Sequence, residues 1–194
     1  MRSTQRLVTK PTDPDVHLAR GIVYLKARDA AKALEAIRLY RTSPAVKRPS
    51  PAYYAYTVLA SAVTGDLDYA VAVGREGLGH YADSGQILVN GGAVLEYRGE
   101  VDDAAALYKR AVATDLPTHQ AHKNLGDQAY AHGDHEGARA QYEKAVKLCQ
   151  RMGDDVYLLL GTMAYKSNDR DIALLLWRRA LDLNPHNEAV RANL

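Results

Sequence analysis

Phenylalanine is absent from the 194-residue sequence, and cysteine and tryptophan each occur once, whereas tyrosine occurs 13 times. The single cysteine, Cys149, cannot form a disulfide within the chain, so the fold does not depend on an oxidising compartment. Because tyrosine supplies almost all of the aromatic surface, aromatic packing must leave hydroxyl groups that need a partner or a route to water.

The sequence also lacks an excess of charge and a long hydrophobic run. Its 25 basic and 23 acidic residues leave a net charge of +2, which gives no large attraction for nucleic acid or an anionic membrane. No apolar run approaches the roughly 20 residues that span a bilayer, and the N-terminus lacks the apolar core of a secretory signal. We therefore expect a cytoplasmic protein that neither binds nucleic acid nor inserts into a membrane.

The sequence contains an internal repeat. Five turn-like segments are each followed by an acidic residue and, four positions later, by an alanine. The acids are Asp29, Asp66, Glu100, Asp134 and Asp169, and the alanines are Ala33, Ala70, Ala104, Ala138 and Ala173. The alanines are separated by 37, 34, 34 and 35 residues. A near-constant spacing in this range indicates a repeat architecture.

Each period has helical rather than strand-like spacing of its apolar residues, as in VYLLLGTMAY and IALLLWRRALDL. A residue suited to ending a helix stands between the two helical segments of most periods: Gly65, Gly99, Gly133 and Asn168. The acid that follows suits the N-terminal turn of the next helix. The sequence thus predicts pairs of antiparallel helices that stabilise one another by stacking.

Residue size alternates where the two helices of a pair must approach closely. Small residues recur in the first helices, at Gly21, Gly92, Gly126 and Gly161, and bulky residues fill the adjacent space, at Ile37, Tyr108, Tyr142 and Trp177. The second period departs from this pattern, with Val58 at the small position and with Gly74 and Gly77 inside its second helix. Because glycine costs roughly 1 kcal/mol relative to alanine in a helix interior, we expect this helix to be the weakest of ten.

These motifs closely resemble those of the tetratricopeptide repeat family, over about residues 14–187. The resemblance implies an all-α fold, a right-handed α-solenoid of antiparallel helix pairs. We expect a flexible segment at 1–13, five repeats at about 14–47, 51–84, 85–118, 119–152 and 154–187, and the start of a truncated terminal or capping helix at 188–194. Ser50 and Asn187 are predicted N-caps, with Pro51 in the first turn after Ser50.

In this family the first helices of the repeats line a concave groove that holds an extended peptide or a partner helix. The resemblance therefore implies groove positions in successive repeats. The candidates are Tyr56, Leu59, Asn90, Tyr97, Lys123, Asn124, Asp127, Tyr130, Tyr165 and Lys166.

Three features of these candidates leave alternatives open. Asn90 and Asn124, 34 residues apart, can each grip a peptide backbone through their amide groups or simply bond locally. Asp127 is the expected i, i+4 partner of Lys123, which disfavours the carboxylate clamp of chaperone-binding family members. Finally, one tyrosine per repeat, at positions 97, 130 and 165, forms either an aromatic strip for a ligand or packing between repeats.

No residue pattern indicates catalysis, a cofactor or a metal. His122 and His132 are ten residues apart, or roughly 15 Å along a helix, and cannot share one tetrahedral zinc site. We expect His132 and His135 to be turn residues and Cys149 to be a small apolar side chain. The predicted function is a protein-interaction scaffold or adaptor, not an enzyme. The alternative is a structural module that self-assembles into a homo-oligomer.

Overall fold

The computed structural model describes residues 13–114 and 118–194. Of the predicted flexible segment, residues 1–12 lie outside the described part, and Asp13 caps the first helix. The described residues form α-helices and contain no strand. The helices are α1 (Pro14–Lys26), α2 (Ala30–Thr42), α3 (Pro51–Val63), α4 (Leu67–His80), α5 (Gly85–Tyr97), α6 (Val101–Val112), α7 (His119–Ala131), α8 (His135–Leu148), α9 (Asp154–Lys166), α10 (Arg170–Leu183) and α11 (Glu188–Arg191).

The chain divides into two compact units, residues 1–104 and 105–194, with the division inside α6. In the first unit, α1 packs on α2 and α3 packs on α4, while α5 packs against both α3 and α4. In the second unit, α7 pairs with α8 and α9 pairs with α10, and α8 also packs on α9. Four pairs of consecutive helices, α1–α2, α3–α4, α7–α8 and α9–α10, thus pack together in the predicted all-α arrangement. The boundaries given above for five repeats remain a proposal for dividing this series.

The turns inside the pairs have the predicted chemistry. Gly65, Gly99 and Gly133 have φ angles of 88°, 83° and 79°, and Asn168 has 63°, in the left-handed region that ends helices. The equivalent turn before α2 uses Arg28, at 61°. The carboxylates of four of the five predicted capping acids, Asp29, Asp66, Asp134 and Asp169, then accept backbone N–H groups three residues onward. The distances are 3.1 Å from Lys32, 3.1 Å from Tyr69, 2.8 Å from Gly137 and 3.3 Å from Ile172.

The predicted small-to-large contacts hold three helix pairs close together. A β-carbon added at Gly21 would lie 2.7 Å from Cγ1 of Ile37, and one added at Gly126 would lie 2.6 Å from Cε1 of Tyr142. At Gly161 the distance to Cδ1 of Trp177 would be 2.5 Å. The five repeating alanines are fully buried. Close approach of the helix backbones therefore explains the recurring small residues.

The second helix pair has the opposite arrangement of sizes. The larger side chain, Val58, comes from α3, and it faces Gly74 of α4, whose added β-carbon would lie 3.5 Å from Val58 Cγ2. Gly77 lies closer still to α3, because its added β-carbon would be 2.7 Å from Cβ of Tyr54. Helix α4 continues unbroken through both glycines. The expectation that α4 is the weakest helix considers helix propensity alone and remains a prediction.

The eight-residue connection between α2 and α3 is fixed by side-chain contacts of its last three residues. Tyr40 accepts the backbone N–H of Ser50 at 3.1 Å, and the Tyr81 hydroxyl donates to the Pro49 carbonyl at 2.9 Å. Arg48 donates to the His80 carbonyl at 2.9 Å, and its guanidinium lies 4.8 Å from the centre of the Tyr81 ring. Ser50 then caps α3 as predicted, by accepting the N–H of Tyr53. These contacts order a proline-rich loop without regular structure.

At the end of the second unit, Asp154 links the start of α9 to the segment around α11. Its carboxylate accepts the side-chain amides of Asn184 and Asn187, at 2.9 and 2.5 Å. The side-chain oxygen of Asn187 caps α11 by accepting the N–H of Val190 at 3.1 Å, as predicted. Because Val190 is fully buried, this segment is part of the packed unit.

Candidate functional site

The first unit has an apolar groove between α3 and α5. Its cavity has a volume of about 360 Å³ and is lined by Leu59, Ala62, Val63, Asn90, Ala93, Val94 and Tyr97. Three of these residues expose much of their apolar surface, with exposed fractions of 38% for Leu59, 63% for Val63 and 80% for Tyr97. The structure therefore brings together three of the predicted groove residues, Leu59, Asn90 and Tyr97.

Asn90 is held in position at the base of this groove. Its side-chain N–H donates to the backbone carbonyl of Ala55 in α3, at 2.8 Å. The carbonyl oxygen of the same side-chain amide is an acceptor that this bond does not use. Asn90 is therefore oriented by the neighbouring helix rather than solvated locally.

Tyr56, another predicted groove residue, does not line the α3–α5 groove. Its half-buried side chain packs against the hydrophobic core of the first unit. The family resemblance implied a groove position for Tyr56, whereas in the structure its contacts are with the core.

In the second unit, Lys123 and Asp127 belong to a polar network. The Lys123 ammonium lies 2.8 Å from a carboxylate oxygen of Asp127, the predicted partner, and 3.2 Å from Asp155. The other oxygen of Asp127 accepts the Tyr142 hydroxyl at 2.8 Å. The network joins α7, α8 and α9 and satisfies the charge of Lys123 within the protein.

The pKa values of this network are shifted by burial and by its hydrogen bonds. Burial lowers the pKa of Lys123, but the bonds to Asp127 and Asp155 outweigh that effect and raise it. Burial and the bond to Asp127 both raise the pKa of Tyr142. Lys123 therefore stays charged and Tyr142 stays protonated at neutral pH, which suits a structural role for both.

The remaining candidates of the second unit lie on different elements. Tyr130 and Lys166 line a cavity of about 120 Å³ next to His135, whose ring centre is 5.1 Å from that of Tyr130. Tyr165 is half exposed, and its ring centre lies 5.7 Å from that of Trp177. Asn124 is half-buried. Tyr130 and Tyr165 thus both combine packing contacts with accessible surface.

His122 and His132 have ordinary hydrogen-bonding partners. His122 shares a 2.8 Å hydrogen bond with the side-chain oxygen of Gln141, and Nδ1 of His132 lies 2.7 Å from the carbonyl oxygen of Gln128. Within residues 13–114 and 118–194, no group of three or more His, Cys, Asp or Glu side chains could hold a metal ion. None of the described helices has the length and apolarity required to cross a membrane.

One cavity of the first unit was not predicted from the sequence. It has a volume of about 260 Å³ and lies among α2, α3 and α4, with Arg38, Arg41, Thr57 and Ser61 in its lining. The available signal was a pair of polar residues, Thr57 and Ser61, four apart in the otherwise apolar α3. They face two arginines of α2 that are three residues apart.

The comparisons agree with this architecture. Residues 92–152 match the family model described as tetratricopeptide repeat. No curated protein sequence matches the chain. The family match over residues 92–152, the paired helices and the solved structures below together identify the fold as that of the tetratricopeptide repeat, an all-α solenoid of antiparallel helix pairs.

Three solved structures share the fold at low sequence identity. One, from a functional characterization of Pseudomonas aeruginosa pilF, has a TM-score of 0.78 and 17% identity, and the match covers 91% of this chain and 79% of that one. TTC0263, a thermophilic TPR protein of Thermus thermophilus, has a TM-score of 0.70 and 15% identity, with coverages of 93% and 96%. YrrB, described as a TPR protein with an unusual peptide-binding site, has a TM-score of 0.58 and 15% identity, with coverages of 95% and 93%.

Proposed function

We propose that this chain is a protein-interaction scaffold whose α3–α5 groove binds a peptide or helix of a partner protein through an apolar side chain. The observation that supports this most is the concentration of exposed apolar surface from Leu59, Val63 and Tyr97 around one cavity. A large aromatic side chain that is exposed beside aliphatic neighbours is typical of interaction surfaces. Proteins of this fold generally act as such scaffolds, and YrrB is described as having a peptide-binding site.

Asn90 gives the proposed groove a polar contact. Its bond to the Ala55 carbonyl fixes the plane of the side-chain amide, so the remaining amide oxygen is preorganised to accept a backbone N–H of a bound segment. Such a contact holds the main chain without selecting a side chain. The apolar cavity then supplies the preference, because it removes from water whichever side chain enters it.

The second unit contributes fewer available groups than the sequence predicted. Lys123 and Asp127 are engaged with Tyr142 and Asp155, so binding a ligand through them would break existing bonds. Tyr165 and Lys166 retain accessible surface and are the better candidates there. Tyr130 and Asn124 are further candidates of the second unit, which we consider separately from the α3–α5 groove.

A peptide-display selection tests this proposal. We expect the intact chain to enrich peptides with a central apolar residue, and fluorescence anisotropy then measures the affinity of a labelled representative. The double variant Val63→Ser/Tyr97→Ser should weaken binding by about tenfold or more, because buried aromatic anchors carry much of the energy of such interfaces. Asn90→Ala should weaken binding less, since it removes one hydrogen bond.

The matched control is Val23→Ser in α1 of the same unit. Val23 is 61% exposed, nearly the same as Val63, but it does not line the groove. The affinity of Val23→Ser for the labelled peptide should stay within about twofold of the wild-type affinity, since isolated surface substitutions have small effects. Equal affinities of the groove double variant and the wild type would disprove the assignment.

Self-assembly is the second candidate, favoured by an exposed apolar pair on α10. Ile172 and Leu175 are 42% and 68% exposed and are three residues apart, hence on one helix face. Sedimentation velocity over a hundredfold concentration range tests it. Oligomers that disappear in Ile172→Ser/Leu175→Ser would support assembly, and a single monomeric species at all concentrations would rule it out.

A further inference from the structure

The cavity among α2, α3 and α4 lies on the side of α3 away from the proposed groove. Thr57 and Ser61 line this cavity, whereas Leu59 and Val63 line the groove. Since successive helix residues are rotated by about 100°, these two sets lie on opposite faces of the helix. The cavity is therefore a separate feature of the first unit, and the function proposed for the groove does not account for it.

The cavity has a basic side formed by two arginines. Arg38 and Arg41 both line it and, three residues apart on α2, share one helix face. Neither guanidinium forms an ion pair within the part of the chain that the structure describes. The acid in the lining, Asp66, caps α4 through a hydrogen bond to the Tyr69 N–H at 3.1 Å. The lining charges of Arg38, Arg41 and Asp66 therefore sum to +1.

One residue of the lining, Ser61, has a hydroxyl group that lacks a partner among the described residues. Ser61 is fully buried, and its Oγ makes no hydrogen bond among the described residues. The hydroxyl of Thr57, one turn earlier, donates to the Tyr53 carbonyl at 2.6 Å. The backbone of α3 therefore accepts a hydrogen bond from Thr57 but not from Ser61. Leaving a buried polar group unpaired is unfavourable, which a ligand atom bonded to Ser61 would relieve.

The rest of the lining suits the organic part of a small molecule or side chain. Leu34 and Ile37 supply aliphatic surface, and Tyr53 and Tyr69 supply aromatic rings with hydroxyl groups. Burial and neighbouring groups raise the pKa of Tyr53 to about 12, so its hydroxyl stays neutral at neutral pH. The volume of about 260 Å³ is just below the range of drug-sized ligand pockets.

We propose that this cavity binds a phosphate or carboxylate group attached to a small organic body. Arg38 and Arg41 hold the anionic oxygens through charge-assisted hydrogen bonds, and Ser61 donates its hydroxyl to the ligand. The apolar lining and the tyrosine rings contact the attached group. The same chemistry could be presented by a free small molecule or by a modified or acidic side chain of a peptide.

The test uses phenyl phosphate, benzoate and the neutral analogue benzyl alcohol, titrated into the isotopically labelled intact chain and followed by NMR. We expect saturable shifts of the amide signals of residues around Ser61 and Tyr69 with at least one of the two anions and none with benzyl alcohol. Arg38→Gln/Arg41→Gln should weaken anion binding by at least about tenfold, since each lost charge-assisted bond has a large effect.

Two further variants separate binding from folding. Ser61→Ala removes a hydroxyl that makes no hydrogen bond among the described residues. This variant should therefore keep wild-type stability while its affinity for the anion falls several-fold. Arg151→Gln/Arg178→Gln removes the same charge from exposed positions outside the cavity and should leave binding within about twofold of wild type, because distant exposed charges are screened.

Three results would overturn the proposal: no saturable shift with either anion, equal affinity in Arg38→Gln/Arg41→Gln and wild type, or an equal loss in the control double variant. A short peptide carrying one phosphotyrosine distinguishes the sources. Tighter binding than phenyl phosphate would indicate a partner side chain, whereas exclusion of the peptide would indicate a free small molecule. None of these outcomes depends on the groove.

Discussion

Helix α4 offers three glycines whose replacement by alanine should affect stability differently. Gly74, Gly77 and Gly79 lie in one helix of 14 residues, with Gly79 in its last turn. The gain in helix propensity is therefore about 1 kcal/mol for Gly74 and Gly77 and at most that for Gly79. What differs is the space around the added methyl group. The series therefore separates the propensity of a glycine from the packing reason for its presence.

The space around each glycine predicts whether its replacement by alanine raises or lowers the free energy of unfolding. An alanine at Gly79 would meet nothing within 4 Å, so Gly79→Ala should stabilise by at most about 1 kcal/mol. At Gly74 the new carbon would be 3.5 Å from Val58 Cγ2, an ordinary contact. Burying it adds up to about 0.8 kcal/mol, which makes Gly74→Ala the most stabilising variant. At Gly77 it would lie 2.7 Å from the Cβ of Tyr54, and overpacking costs about 1–3 kcal/mol.

For Gly77→Ala the expected net result is thus a loss of about 0–2 kcal/mol, after subtraction of the propensity gain. Because Tyr54 is fully buried and the contact is at its Cβ, a change of side-chain rotamer cannot relieve the clash. Urea unfolding followed by circular dichroism measures the three stabilities, and hydrogen exchange of the α4 amides localises the change to the helix. If Gly77→Ala stabilises as much as Gly79→Ala, the contact with Tyr54 is not the reason for this glycine.

Two further predictions concern buried hydrogen bonds. Tyr142→Phe should destabilise the fold by about 1–2 kcal/mol, because Asp127 loses a hydrogen-bond donor in a partly buried network. The control Tyr97→Phe, at an 80% exposed position, should change the stability little in the same urea experiment. Equal effects of the two variants would refute the role of the network. The bonds from Asn187 and Asn184 lower the pKa of Asp154 in the folded state, so its contribution is complete above the unfolded-state pKa, near 3.8, and is lost as the pH falls below that value. The stability difference between wild type and Asp154→Asn should therefore be constant from about pH 7 to about pH 5 and shrink as the pH falls through 3.8 toward the lower folded-state pKa, and a difference that stays constant at acid pH would contradict this assignment.

The local features of the fold could be predicted because they recur and depend on few neighbours. A capping acid needs only the backbone three residues onward, as at Asp134, and a turn glycine needs only its own φ angle, as at Gly133. The pairing of Gly126 with Tyr142 involves two helices, but both residues belong to the same period. Such features can be read from one copy and checked against the others.

Features that depend on packing between periods were harder to predict. Lys123 was correctly paired with Asp127, but its second partner, Asp155, is 32 positions further along the chain and nothing in the spacing indicates it. Tyr56 was assigned to the groove by its position in the period, although it packs on the core. When a helix is half-buried, the position of its neighbouring helix determines which side chains of its outer face remain accessible to a ligand.

The size reversal in the second helix pair shows why departures from a repeat are better interpreted as pairs than singly. Taken separately, Val58 is too large for its position, and Gly74 weakens its helix. In the structure each residue accommodates the other, with 3.5 Å between Val58 Cγ2 and an added carbon at Gly74. The same holds for function in α3, where Thr57 and Ser61 are unusual polar residues in an apolar helix until Arg38 and Arg41 are found to line the same cavity. Departures from the repeat that lie together in this way indicate a constraint, and because the hydroxyl of Ser61 has no partner among the described residues, this cavity is where a ligand should be sought.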